Sequence, residues 1–123
     1  MKTKILLLDE SVTVQKVVAL TLDKNLYTIE YAKARSEAKR VVAAGSIQLI
    51  LVSEQVSDLD VGAFPTEVAT WTNSRPAVIL ITTQDIDTYP SYTAVLRKPF
   101  SPQTLQETVA AHVKAPTAAQ PKS

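Results

Sequence analysis

Five short apolar runs divide this chain of 123 residues, and they constrain its fold more than any other feature. They cover residues 4–8, 27–31, 47–52, 78–81 and 94–96. Runs that are apolar throughout are typical of strands covered on both faces, as in a parallel sheet. Parallel strands need long crossover connections, which are usually helices. The sequence therefore predicts an α/β fold with a doubly wound, five-stranded parallel sheet.

Four segments outside these runs carry helix signals. Ser11 and Ser36 are cap residues before stretches with apolar positions three and four apart, and Gly45 stands where the second helix would end in a left-handed residue. Pro65 and Pro102 suit the first turns of two further helices. These signals predict helices after the first, second, third and fifth strands.

The connection between the fourth and fifth strands is different. Residues 84–94 are too few for a full crossover helix with its turns, and Pro90 would break a helix there. Helix 4 of a regular alternating fold is therefore predicted to be shortened or missing. Its loss should expose apolar surface near Val95 and Leu96, beside Tyr89 and Tyr92. Tyrosines beside apolar surface are typical of interfaces, so these four residues form the candidate interface.

Composition bounds the organisation of the chain and excludes several kinds of site. Residues 1–114 are expected to form one domain, and residues 115–123 an Ala/Pro-rich linker or tail. Thirteen basic and twelve acidic residues give no basic surface for nucleic acid. The absence of cysteine and the single histidine exclude zinc sites of the usual kinds. The short N-terminal apolar run meets Asp9 at once, so it predicts a strand of a cytoplasmic protein and no membrane contact.

Polar residues follow four of the predicted strands. Asp9 and Glu10 follow the first strand, Ser53 the third, Thr82 the fourth and Lys98 closely follows the fifth. Ligands of open parallel sheets bind outside the carboxyl ends of the strands, so these residues are expected to converge in one site.

This set of residues resembles the receiver domain of bacterial response regulators, the CheY-like domains with a flavodoxin-like fold and strand order 2-1-3-4-5. The resemblance covers about residues 4–113. It implies that Asp9 and Glu10 stand where the family holds magnesium, that Thr82 is the switch hydroxyl position, and that Lys98 is the pocket lysine that binds the phosphoryl group. It also implies that the peptide bond before Pro99 is cis.

Ser53 stands where the resemblance implies a phosphoacceptor aspartate. A serine hydroxyl is a poor nucleophile without a general base, and losing a carboxylate weakens a site for magnesium, which prefers anionic oxygen ligands. Ser53 is therefore a degenerate acceptor position, and Asp9 and Glu10 form a vestigial acidic pocket. We expect no cofactor beyond weakly bound magnesium, no metal site and no catalytic residue. Lys98 is expected to pair with one of the two acidic residues.

The predicted function is that of a pseudo-receiver, which is a phosphorylation-independent module for signalling and protein interaction in a bacterial two-component-type pathway. It would not be an enzyme. The expected partner is a protein or an adjoining effector domain, or a second copy of the chain in a homodimer. One alternative is a live receiver with an unorthodox acceptor such as Glu54, although strand alternation should turn Glu54 away from the face of Ser53. The other is a small flavodoxin-like ligand binder, which would need a phosphate-cradling loop, whereas the two glycines are Gly45 and Gly62.

Overall fold

The computed structural model describes residues 3–86 and 88–113, which form an α/β fold around one parallel sheet. The sheet has five strands in the order β2-β1-β3-β4-β5, and all its neighbouring strands are parallel. This confirms the predicted fold class and strand order. The strands are β1 (Thr3–Leu8), β2 (Tyr27–Ala32), β3 (Ile47–Ser53), β4 (Ala77–Thr82) and β5 (Ala94–Arg97). The described helices are α1 (Val12–Thr21), α2 (Arg35–Ala43), α3 (Phe64–Trp71) and α4 (Pro102–His112).

The helices begin where short-range hydrogen bonds satisfy their first amide groups. The Ser11 hydroxyl accepts a hydrogen bond from the backbone N–H of Val14, and Ser101 caps α4 in the same way. The predicted cap of α2 was wrong by two residues, because α2 begins after Ala34 and Ser36 lies within its first turn. The Asp58 carboxylate, distant in sequence, accepts a hydrogen bond from an amide of this first turn.

Alternate residues of the strands face the two helical layers. Leu6 and Leu8 of β1 pack in the layer of α2 and α3, with Phe64 and Val68. Ile5 and Leu7 pack in the layer of α1 and α4. The second layer also contains the following buried residues: Val18, Leu22, Leu49, Leu51, Ile79, Ile81, Leu96, Leu105 and Val109. The sheet is covered on both faces, which explains why its interior strands β1, β3 and β4 are mostly apolar and buried.

No helix connects β4 and β5 in the described residues 83–86 and 88–93. Tyr92 takes part of its place, since the Tyr92 ring packs against the α2–α3 layer and its hydroxyl donates a hydrogen bond of 2.8 Å to the carbonyl of Val61. The Tyr89 ring meets it edge to face at 5.4 Å.

The missing helix was predicted to expose apolar surface near Val95 and Leu96. A groove lined in part by these two residues does lie there, but the Leu96 side chain is only 2% exposed and packs with Leu105 and Val109. Its side chain faces the α1–α4 layer, whereas Tyr92 packs on the opposite face of the sheet. Leu96 therefore offers little surface to a partner, and Tyr92 and Val95 are each partly buried.

The predicted linker or tail at residues 115–123 lies outside the described part of the chain. Within the described ranges, none of the helices combines the length and the apolar character needed to cross a membrane.

Candidate functional site

The carboxyl edge of the sheet brings together three buried polar side chains from separate parts of the chain. Asp9 is 3% exposed, Ser53 is fully buried and Thr82 is 1% exposed. They follow or end β1, β3 and β4, which lie side by side in the sheet. Burying a polar group is costly unless it is hydrogen-bonded or paired, so the partners of each residue decide what the site can do.

Asp9 and Lys98 form the charged centre of this site. Asp9 Oδ1 accepts a hydrogen bond of 2.8 Å from the backbone N–H of Ser11. Asp9 Oδ2 is buried and has no hydrogen-bond partner, and Lys98 Nζ lies 4.0 Å away. The backbone N–H of Lys98 donates to the carbonyl of Thr82, and the Lys98–Pro99 peptide bond is cis. Lys98 therefore places a positive charge beside Asp9, and the hydrogen bond to the Thr82 carbonyl at the end of β4 anchors the Lys98 backbone.

Glu10 differs from Asp9 in its burial and in its hydrogen-bond partners. Its side chain lies at the surface, where the backbone N–H and the hydroxyl of Ser57 donate hydrogen bonds of 2.9 and 2.8 Å to Glu10 Oε2. The bond from the Ser57 backbone, followed by that from its hydroxyl, holds the pKa of Glu10 below its usual value. The two neighbours in sequence thus act separately.

Ser53 is a neutral, enclosed group at the centre of the edge. Its hydroxyl oxygen accepts a hydrogen bond of 3.1 Å from the backbone N–H of Gln55. Among the described residues, no three His, Cys, Asp or Glu side chains gather closely enough to hold a metal ion. Because magnesium prefers several anionic oxygens, the donor set of Asp9, Ser53 and the displaced Glu10 does not fit it.

Glu54 belongs to the site, although strand alternation predicted that it would turn away. Alternation does not govern Glu54, because β3 ends at Ser53. The Glu54 side chain instead reaches the end of β4, where Glu54 Oε1 accepts a hydrogen bond of 2.7 Å from the Thr82 hydroxyl. The sequence did contain a signal, since three successive residues with side-chain donors, Thr82 to Gln84, lie at the end of β4 and directly after it, at the same edge.

Two grooves adjoin this edge. The first has a volume of about 420 Å³ and lies between α1 and the residues that follow β5. Its lining is formed by Thr13, Val14, Val17, Thr83, Lys98, Pro99 and Phe100. The second, of about 580 Å³, lies between the β4–β5 connection and the beginning of α4.

Three apolar side chains of α1, the helix that lines the first groove, are exposed. Leu20 is 84% exposed, and Val12 and Val17 are 50% and 39% exposed. This surface was not predicted from the sequence, although apolar residues on more than one side of a helix already indicate that one side lacks a partner within the domain.

Three solved structures resemble this fold closely. The chemotaxis protein CheY4 of Vibrio cholerae is 23% identical with a TM-score of 0.80, and the match covers 92% of this chain and 100% of CheY4. The beryllofluoride-activated receiver domain dimer of NtrC4 is 22% identical with a TM-score of 0.79, covering 90% and 96% of the two chains.

The third structure is the receiver domain of Saccharomyces cerevisiae Ssk1, solved with the histidine phosphotransfer protein Ypd1. It is 16% identical with a TM-score of 0.79, and the match covers 91% of this chain and 89% of that one. No protein-family model and no curated protein sequence matches the chain. The structural neighbours are response regulator receiver domains, and this chain has their fold.

Proposed function

We propose that this protein is a pseudo-receiver, a cytoplasmic module of a bacterial two-component-type pathway that acts through protein contacts without phosphotransfer or other catalysis. The observation that carries the proposal is the state of Ser53. Ser53 is fully buried and uncharged, and its hydroxyl oxygen accepts a hydrogen bond from the backbone N–H of Gln55. A receiver would present an acceptor carboxylate at this position. A hydroxyl needs a general base to become a nucleophile, and the nearby Asp9 is already paired with Lys98.

Phosphorylation of Glu54 is a less favourable alternative. Both oxygens of its carboxylate already accept two hydrogen bonds each. These donors withdraw electron density from the lone pairs that an attack on a phosphodonor would need. An attack by Glu54 would have to break some of these hydrogen bonds, so the geometry favours a permanent role for this carboxylate.

Magnesium is inferred to bind weakly at most. Glu10 is held by Ser57, and Lys98 already supplies the positive charge beside Asp9. A divalent cation would therefore have to displace Lys98 and draw Glu10 away from its hydrogen bonds.

A direct test uses a small-molecule phosphodonor. Incubated with acetyl phosphate and magnesium, the purified protein is expected to gain no phosphoryl group, because no free carboxylate stands at the acceptor position. Intact-mass measurement checks this, with a receiver domain that carries the acceptor aspartate as the positive control. A mass increase of one phosphoryl group located on the peptide of Ser53 and Glu54 would contradict the proposal, and the Glu54→Gln variant would show which residue had reacted.

The surface proposed for the partner is the apolar side of α1 with its adjoining groove. Val17 belongs both to the exposed side of α1 and to the groove, and Phe100 lines the groove opposite it. Lys16, exposed on α1, adds positive charge at this surface, and Lys98, which is paired with Asp9, lines the groove. These features fit a partner protein that presents an apolar stripe flanked by acidic residues. The Ssk1 receiver domain was solved with a protein partner, which supports this class of interaction.

A photo-reactive amino acid in place of Leu20 is expected to crosslink this partner in cells. The captured protein is then titrated against the purified native chain and two variants. Val17→Glu is expected to raise the dissociation constant by about tenfold or more, because it places a charge in an apolar contact. Leu26→Glu, a change at an apolar residue that is 56% exposed and lies outside α1, is expected to bind within about twofold of the native chain.

Equal affinity of the native chain and Val17→Glu would refute the α1 surface. Sedimentation of the purified chain supplies a further outcome, since a dimer that Val17→Glu dissociates would identify a second copy as the occupant.

A further inference from the structure

The carboxylate of Glu54 is the most heavily hydrogen-bonded side chain at the carboxyl edge of the sheet. Glu54 Oε1 accepts from the Thr82 hydroxyl at 2.7 Å and from the Gln84 amide nitrogen Nε2 at 2.8 Å. Glu54 Oε2 accepts from the backbone N–H and the hydroxyl of Thr83, at 2.9 and 3.2 Å. A carboxylate offers about four lone-pair positions, so this one is saturated by three consecutive residues.

The Thr82 hydroxyl has no remaining donor capacity. Its single proton points to Glu54 Oε1, and its oxygen accepts a hydrogen bond of 3.0 Å from the backbone N–H of Gln84. Thr82 is also 1% exposed. A second anion at this edge would therefore have to displace Glu54 before it could engage this hydroxyl.

The same carboxylate ties together two strands and the start of the β4–β5 connection. The backbone N–H of Glu54 donates to the carbonyl of Ile81 in β4, while its side chain holds the residues that follow β4. The carbonyl of Thr82 in turn accepts from the backbone N–H of Lys98 after β5. The ends of β3, β4 and β5 are thus linked through neighbouring residues.

We propose that Glu54 is a built-in anionic lock that holds the Thr82 hydroxyl and the beginning of the β4–β5 connection in one fixed arrangement. The regulatory meaning of the lock rests on the proposed function. In a module without phosphotransfer, the anion that occupies the switch hydroxyl is supplied by the chain itself. The beginning of the β4–β5 connection then keeps one conformation permanently, and phosphorylation at Ser53 is not needed to produce that conformation.

The charge of Glu54 is compatible with this role at neutral pH. Partial burial alone would raise the pKa of Glu54, but the hydrogen bonds from Thr82, Thr83 and Gln84 outweigh it and lower the pKa. The carboxylate form therefore persists at neutral pH, which keeps all four hydrogen bonds charge-assisted.

The test measures amide hydrogen exchange by NMR in the native chain and in Glu54→Ala, Glu54→Gln and Glu107→Gln. In Glu54→Ala the amide of Thr83 is expected to exchange about tenfold faster or more, because it loses a hydrogen bond to a charged acceptor. The backbone amide of Gln84 should also exchange faster, since its hydrogen bond to the Thr82 hydroxyl depends on the orientation of that side chain. Glu54→Gln keeps one neutral acceptor and should give an intermediate rate. Glu107→Gln, on α4, should match the native chain.

Two comparisons distinguish the lock from a general structural role. Backbone amides of β1, such as that of Leu7, should exchange at native rates in Glu54→Ala. The thermal midpoint of this variant should fall far less than it would if global unfolding caused the faster exchange at Thr83. Unchanged exchange at Thr83 and Gln84, or an equal acceleration at Leu7, would overturn the lock. A phosphoryl adduct on Ser53 would overturn the proposed function and leave the lock intact.

Discussion

Replacing Lys98 with methionine is expected to lower the free energy of unfolding by about 3 kcal/mol, because it leaves a buried carboxylate without its cation. Asp9 is 3% exposed, and the oxygen that faces Lys98 has no hydrogen-bond partner. Methionine keeps a similar apolar stem, so the variant removes mainly the charge. Urea denaturation at pH 7 measures the change.

A double-mutant cycle separates the Asp9–Lys98 pair from each residue alone. Asp9→Asn with Lys98→Met is expected to recover at least about 1 kcal/mol relative to the sum of the single changes, because it removes the unpaired charge. Lys16→Met, at an exposed position of α1, is the matched control and should stay within about 0.5 kcal/mol of the native chain. Strict additivity in the cycle would show that Lys98 does not compensate Asp9.

The second large effect is expected at Tyr92. Tyr92→Ala should lower the free energy of unfolding by about 3 kcal/mol, because the ring packs against the core layer where a crossover helix is missing. Tyr92→Phe should cost about 1 kcal/mol, since it removes only the hydrogen bond to the carbonyl of Val61. Thermal and urea denaturation of both variants measure these changes.

Tyr89→Ala provides the comparison for Tyr92. Its ring contacts Tyr92 edge to face, so its removal should cost about 1 kcal/mol. If Tyr92→Ala and the native chain prove equally stable, the ring contributes nothing to the core. That result would return Tyr92 to the role predicted from the sequence, a contact for a partner protein.

Local signals in the sequence were enough to predict most of the secondary structure. Ser11 and Ser101 cap their helices through hydrogen bonds to residues three positions later, and Gly45 adopts a φ of 94° at the end of α2. Each of these features depends on residues adjacent in sequence. The strands were predictable for a different reason, since burial on both faces makes the interior strands mostly apolar.

The sequence by itself determined three features: the parallel sheet, the absence of a carboxylate at residue 53 and the lack of a full helix before β5. The apolar pattern, the residue identity and the length of the β4–β5 connection set these limits directly. Only the tertiary structure decided how the polar residues are paired. It turned Glu10 towards Ser57, brought Glu54 to Thr82, and buried Leu96 beneath α4. Side-chain direction beyond a strand end and hydrogen-bond partners distant in sequence depend on how the elements pack, and no short-range pattern encodes them.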